Sequence, residues 1–187
     1  MTIGFAMCGS FCTFDRVLAA LEQLHESYPD IIPIMSTASY ETDSRFGPSE
    51  DFRHRLEAIS GHEILHTIEQ VEPIGPKKLL DALVIAPATG NTLAKLAAGI
   101  ADGPVTLACK AHLRNERPVI LAISTNDALS GNAASIGALL NRKNYYFVPF
   151  GQDNAQKKPR SMVARFELLG QTVDAALHAE QIQPMLV

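Results

Sequence analysis

The 187-residue sequence has no tryptophan, 6% aromatic residues and three cysteines, Cys8, Cys12 and Cys109. An odd and small cysteine count excludes a disulfide framework, and no second cysteine pair completes a zinc-ribbon set. Reduced thiols, buried as small hydrophobes in a cytoplasmic protein, are the expected state. No apolar run approaches the length of a membrane span. The first, Ile3–Met7, is too short even for the core of a signal peptide. Basic excess is also missing: 16 Lys and Arg stand against 20 Asp and Glu, for a net charge of −4. That balance argues against a general nucleic-acid binder. The pattern GxGxxG is absent, so no dinucleotide fingerprint is present. Internal repeats, low-complexity stretches and linkers are absent too, so residues 1–187 are expected to form one domain without a membrane segment.

What remains is an apolar content of 47% with charge of both signs, enough to build a core without staples. Short β-rich runs alternate with helical periodicity. Thr2–Met7, Ile31–Ser36, Ala82–Ala86, Val119–Ile123 and Tyr145–Pro149 read as strands. Cys12–Ser27, Glu50–Ile59, Leu93–Ile100, Asp127–Leu140 and Ser161–Ala179 read as helices, and Ser39–Ser49 as a loop. Asp102-Gly103-Pro104 interrupts the helical pattern that precedes it. Continuous apolar strands alternating with helices predict a three-layer α/β domain around a parallel sheet.

Charge is unevenly placed. Glu22–Glu72 holds eleven acids against Arg45, Arg53 and Arg55, whereas Arg142–Arg165 holds six bases against Asp153. Such contrasts are either solvated faces or surfaces that meet an anion or a partner. Lys77-Lys78 and Lys157-Lys158 read as solvated surface.

In open parallel sheets ligands sit beyond the carboxyl ends of the strands, at the switch in strand order. Three strand ends carry small or polar residues there. Cys8-Gly9-Ser10-Phe11-Cys12-Thr13 follows the first strand, and is either an anion cradle or a capped helix start. Pro87-Ala88-Thr89-Gly90-Asn91-Thr92 crowds hydroxyls, an amide and bare backbone at a helix N-terminus. Ala94, Ala97, Ala98 and Gly99 then give that helix a small face for close packing. Ile123-Ser124-Thr125-Asn126-Asp127 repeats the polar theme. These segments, with Ser36–Ala38, are expected to converge at one edge of the sheet.

His62-Glu63-Ile64-Leu65-His66 spells a zinc-protease motif. It lacks the long helix and the third ligand that zinc requires, so no metal site is expected.

The segment Pro87–Asp102 resembles the signature of the homo-oligomeric flavin-containing cysteine decarboxylases, with Gly90 where that family usually has alanine. Across nearly the whole chain the sequence is closer to the B-subunit family of dipicolinate synthase, flavoprotein-like subunits of spore-forming bacteria. Thr42–Gly47, Glu72–Lys77, Ile123–Leu129 and Val148–Asp153 carry that similarity. The resemblance implies a Rossmann-like flavoprotein fold with FMN bound between the subunits of a trimer. It places Gly9 and Ser10 at the FMN phosphate with Thr37 nearby, and Thr89, Gly90, Asn91 and Thr92 along the flavin. Ser124, Thr125 and Asn126 would occupy the substrate-recognition motif, of which only the asparagine survives. The decarboxylases carry an active-site histidine about 14 residues before the signature proline, and counting back gives Pro73. Their base chemistry is then not expected.

By the same resemblance the partner is the A subunit of dipicolinate synthase, a nicotinamide-binding protein through which NAD(P) accepts electrons. The product is pyridine-2,6-dicarboxylate, made from dihydrodipicolinate in the cytoplasm of the sporulating mother cell. The B subunit would then mediate the dehydrogenation at its flavin pocket, or support its partner without catalysis. An FMN-dependent decarboxylase is the third reading. For a dicarboxylate substrate, arginine is the preferred anchor. Arg45, in a glycine-proline loop placed to fold as a lid, is the expected one, unless it pairs locally with Glu41 or Asp43. Asn91 and Asn126 would add neutral hydrogen bonds.

Overall fold

The buried run Ile3–Met7 needs cover on both sides, and β1 (Thr2–Met7) finds it one strand in from the edge of a sheet. The computed structural model describes residues 1–187. Strand β2 (Asp30–Met35) pairs parallel with β1 on one side, and β3 (Ala82–Ala88) pairs parallel on the other. Then come β4 (Val119–Thr125) and β5 (Tyr145–Phe147), both parallel. The spatial order is therefore 2-1-3-4-5, which reverses direction between β1 and β3. The expected three-layer α/β architecture with a parallel sheet is what forms.

Two short strands depart from expectation. β6 (Phe150–Gly151) and β7 (Met162–Ala164) form an antiparallel ribbon, and β7 pairs with the end of β4 through Ser124 and Thr125. The helix expected over Ser161–Ala179 accordingly begins only at Leu169. A pair of residues per ladder is too few to leave a periodic signal, so the strand was hidden beneath helical spacing.

The helices follow the crossovers. After a 3-10 turn at Phe11–Thr13, α1 (Phe14–Ser27) buries Phe14, Val17, Leu18, Leu21 and Leu24. α2 (Thr37–Glu41) occupies the start of the expected loop Ser39–Ser49, with the Ser36 hydroxyl accepting from the Ser39 N–H as its N-cap. α3 (Ser49–Ser60) ends at Gly61, whose φ of 71° closes the helix in the left-handed region. The one-turn α4 (Ile68–Val71) leads to a 3-10 turn at Glu72–Ile74.

α5 (Gly90–Ala98) starts three residues earlier than expected. α6 (Pro104–Leu113) lies where an interruption was read, because Pro104 begins this helix instead of breaking one. α7 (Ala133–Leu140) follows a turn that occupies Asp127–Asn132. α8 (Leu169–Leu177) closes the fold. α1 and α8 cover one face, with α3 beside α1, while α4 to α7 cover the other. Forty-seven buried apolar residues form one core cluster. No helix is long and apolar enough to cross a membrane.

Candidate functional site

The strands run parallel, so their carboxyl ends share one edge, and hydrogen bonds there tie neighbouring ends together. Ser10 Oγ and Ser124 Oγ lie 2.8 Å apart, joining the loop after β1 to the end of β4. The Thr13 hydroxyl donates to the Ser10 carbonyl at 2.8 Å and approaches Ser124 Oγ at 3.5 Å. On the other side the Ser39 hydroxyl donates to the Met7 carbonyl at 2.9 Å, fastening α2 to the end of β1. Thr89 caps α5, its hydroxyl accepting from the Thr92 N–H at 3.3 Å. The four polar segments converge as the sequence led us to expect.

Between them lies a cleft with two adjoining lobes, which share Gly9 and Thr89. Lobe one, about 420 Å³, lies between Gly9, Thr37, Asn91 and Thr92, with the N-terminus of α6 as a further wall. Lobe two, about 340 Å³, lies between Ser10, Ser124, Thr125 and Asn126 and is bounded outside by Asp153–Val163. Both volumes fall within the range of small-ligand sites, about 300–1,000 Å³. A Cβ at Gly9 would meet protein only at ordinary distances, 3.5 Å from Phe11 and 3.8 Å from Ala38. The chain itself does not demand glycine there, and the space left belongs to the cleft.

Gly90 works differently: it lines neither lobe. A Cβ on it would stand 2.5 Å from Asn132 Nδ2 and 2.6 Å from both Asp127 Oδ1 and Thr125 Oγ1. Those three atoms belong to one cluster. Thr125 donates to Asp127 Oδ1 at 2.5 Å and Asn132 Nδ2 donates to Oδ2 at 2.6 Å. These hydrogen bonds, Thr125 first, hold the Asp127 carboxyl below its usual range. The glycine therefore lets the start of α5 close onto the turn after β4, which places Asn91 and Thr125 at one cleft.

Several charged groups at the cleft were not singled out in the sequence. Lys95 Nζ donates to both carboxylate oxygens of Asp102 at 2.9 Å beside lobe one, and that ion pair holds Asp102 low. In lobe two Lys158, exposed as expected, also borders the cleft and lies 3.2 Å from Asp153 Oδ2. Burial works against the Asp153 charge, but Ser161 and Lys158 still keep its pKa below the usual value. Arg16, also in lobe two, lies 5.1 Å over the Phe166 ring. The segment that overhangs strand ends is thus Gln152–Ser161, fixed by Leu129 N–H donating to the Arg160 carbonyl at 3.0 Å.

Arg45, the expected anchor, is exposed and lines neither lobe. Its guanidinium lies 4.9 Å over Phe46, in a tight turn closed by the Ser44–Gly47 bridge, and forms no ion pair with Glu41 or Asp43. Within one chain it does not meet Asn91 and Asn126.

The thiols divide. Cys8 and Cys109 are buried, and desolvation pushes them up to about 11 and about 12. They stay protonated at neutral pH. Cys12, expected to be buried, is exposed on the 3-10 turn and borders lobe two.

The His62–His66 pentamer is not helical. Leu65 pairs with Ile34 at the edge of β2, His62 Nε2 lies 3.6 Å from Asp30, and His66 stacks on Tyr40 with ring centroids 3.8 Å apart. The two imidazoles thus have separate neighbours. Pro73 is far from the cleft as well: Gly75 beside it packs on Ala111 and Arg114, at the C-terminal end of α6. Counting back along the chain does not locate a cleft position, because the connection to β3 crosses the sheet. The histidine standing at the carboxyl edge is His66.

A match to the model of the flavoprotein family covers residues 1–147. The chain is 45% identical over 185 residues to the B subunit of dipicolinate synthase from Bacillus subtilis (strain 168), covering 99% of this chain and 92% of that one. It superposes on the crystal structure of the B subunit of dipicolinate synthase from Bacillus halodurans C with a TM-score of 0.90 and 44% identity, covering 100% and 95% of the two chains. The FMN-dependent cysteine decarboxylase SpaF shares the fold, with a TM-score of 0.68 at 22% identity over 94% of this chain and 97% of that one.

Proposed function

The chain belongs to the flavoprotein family, and from that premise we propose that its carboxyl-edge cleft holds FMN and serves the B subunit's share of dipicolinate synthesis. The observation that carries this is the convergence of four polar strand-end segments around the β1/β3 switch, where doubly wound sheets of this order bind FMN. The cleft suits a flavin mononucleotide. Its walls are mostly hydroxyls, amides and bare backbone, and its two carboxylates are both occupied by lysines.

Gly9, Ser10 and Thr37 would hold the ribityl phosphate end, and Thr89, Asn91 and Thr92 the ring, with Gly90 fixing their approach. Ser124, Thr125 and Asn126 line the adjoining lobe, where a dicarboxylate would lie. Bound flavin supplies a two-electron acceptor beside the substrate. Loss of two electrons and two protons turns dihydrodipicolinate into the aromatic pyridine-2,6-dicarboxylate, with NAD(P) on the A subunit as the terminal acceptor. The residues of this chain would orient the ring beside the substrate. No histidine lines either lobe, and the buried Cys8 is protonated. That absence of a free base favours, as a second reading, a non-catalytic assembly role; it also weighs against a decarboxylase.

The flavin-dependent form is a homo-oligomer built on trimers. Ala98, Gly99 and Ile100 are exposed at the end of α5, where a second copy would cover them. The test is the visible spectrum of the purified chain, before and after addition of FMN. A bound-flavin band, with activity when the A subunit is added, supports the reading. A colourless chain that takes up no FMN yet activates its partner establishes the assembly role instead.

A further inference from the structure

Every charged side chain at the cleft has an opposite charge beside it, except one. Lys95 is held by Asp102 and Lys158 by Asp153. Arg16 lies on the Phe166 ring and forms no ion pair or side-chain hydrogen bond within the chain. Its exposed side chain borders lobe two, and its five N–H donors have no acceptor within the chain.

We infer that lobe two is a carboxylate subsite in which Arg16 and Lys158 take one carboxylate of a planar heteroaromatic dicarboxylate. This rests on the reading of the cleft given above and assigns its anchoring charge. Arg16 comes from α1, while Lys158 comes from the Gln152–Ser161 segment that overhangs the lobe. The two cations thus belong to separate elements. Asp153 remains ionised beside Lys158, so the three side chains together leave one positive charge. That net charge matches a monoanionic carboxylate. A dianionic phosphate would meet a surplus of negative charge there and the Asp153 oxygens at close range. The hydroxyl of Ser124 adds a neutral group on the wall of the same lobe. The flat guanidinium, already supported on an aromatic face, is preorganised for the two-point geometry a carboxylate accepts.

Arg16 is exposed on a helix, where alanine is readily accommodated, so Arg16→Ala removes the charge without threatening the fold. The experiment is calorimetric titration of wild type, Arg16→Ala, Arg16→Lys and Lys158→Ala. Each is titrated with pyridine-2,6-dicarboxylate, both FMN-saturated and without FMN, and separately with FMN. Arg16→Ala should weaken the dicarboxylate at least about tenfold and Lys158→Ala less, as expected for loss of a charged partner. Arg16→Lys should recover only part of the loss, since an ammonium lacks the fork. FMN affinity should stay within about twofold, the range of a neutral surface change. Unchanged dicarboxylate binding in both alanine variants overturns the inference, as does a wild-type chain that binds no dicarboxylate in either state. Loss of FMN affinity alone in Arg16→Ala also overturns it, and makes lobe two the phosphate site. If wild type takes up no FMN while Arg16→Ala still loses dicarboxylate, the flavin reading fails and the carboxylate subsite stands.

Discussion

The two edges of the parallel sheet are built from similar residue types but use them in opposite ways. At the amino edge the polar groups, Nδ1 of the buried His112 apart, satisfy one another. Arg117 donates to the carbonyls of Leu80 and Lys78 and pairs with Asp81 at 3.3 Å. Asp81 in turn accepts from the Thr2 N–H at 2.9 Å, and Asn115 Nδ2 donates to the Gly75 carbonyl at 2.9 Å. At the carboxyl edge Asn91, Asn126 and Arg16 make no such bonds, and the hydroxyls mostly hold the loops in place around open space. Asn91, Asn126 and Arg16 are exposed, so their donors are open to a ligand as to water, and on the reading proposed above it is this edge that receives one. The amino edge is structural.

The largest break in that comparison is expected at Gly90. Gly90→Val places carbon atoms against Asp127, Asn132 and Thr125 with no room to yield. Overpacking of this kind costs about 1–3 kcal/mol of stability. The sharper effect is on the cleft: α5 must lift from the turn after β4, and FMN affinity should fall at least about tenfold, as misplacing binding groups by an ångström does. Titration with FMN checks this, and an unchanged affinity contradicts it.

A smaller, purely structural effect belongs to the amino edge. His112 is fully buried, with Nε2 3.1 Å from the Pro118 carbonyl and Nδ1 without a partner. Burial, chiefly, lowers its pKa to about 4 from 6.5. The folded state therefore favours the neutral ring. Its contribution is complete above pH 6.5 and is lost as pH falls from there toward 4, where the unfolded chain binds the extra proton. The loss reaches about 3 kcal/mol. Urea midpoints between pH 7 and 4 should fall more steeply for wild type than for His112→Gln. Parallel curves would contradict the assignment. FMN affinity at neutral pH should not depend on this residue.

The smallest effect is expected at Arg45, which touches neither edge. Arg45→Ala should leave both FMN and dicarboxylate binding within about twofold, like other exposed positions. A tenfold loss would mean that a neighbouring protomer carries this turn into the cleft.

The contrast between the edges also explains what was legible from the sequence. β1, β3 and β4 could be read because continuous burial leaves unbroken apolar runs, and the ligand edge could be read because glycines, hydroxyls and amides replace core residues right after those runs. α6 was missed because Pro104 looks like a breaker until the helix is known to begin there. Arg16 was missed because it sits on the polar face of an amphipathic helix, where a cleft residue and a solvated one have the same spacing. Lys158 was missed for a related reason, since only the antiparallel ribbon of β6 and β7 brings its segment over the strand ends. Pro73 and the His62–His66 pentamer show the converse. Spacing along the chain carried a meaning there that the fold does not support, because the connection between β2 and β3 crosses from one edge to the other.

Amide hydrogen exchange with and without FMN tests the asymmetry most directly. The account predicts that FMN slows exchange in Gly9–Thr13, Ser36–Ala38, Thr89–Thr92 and Ser124–Asn126, while Gly75–Asp81 and His112–Pro118 remain unchanged. Protection spread equally over both edges, or confined to the amino edge, would contradict the claim that the carboxyl edge alone is the ligand site.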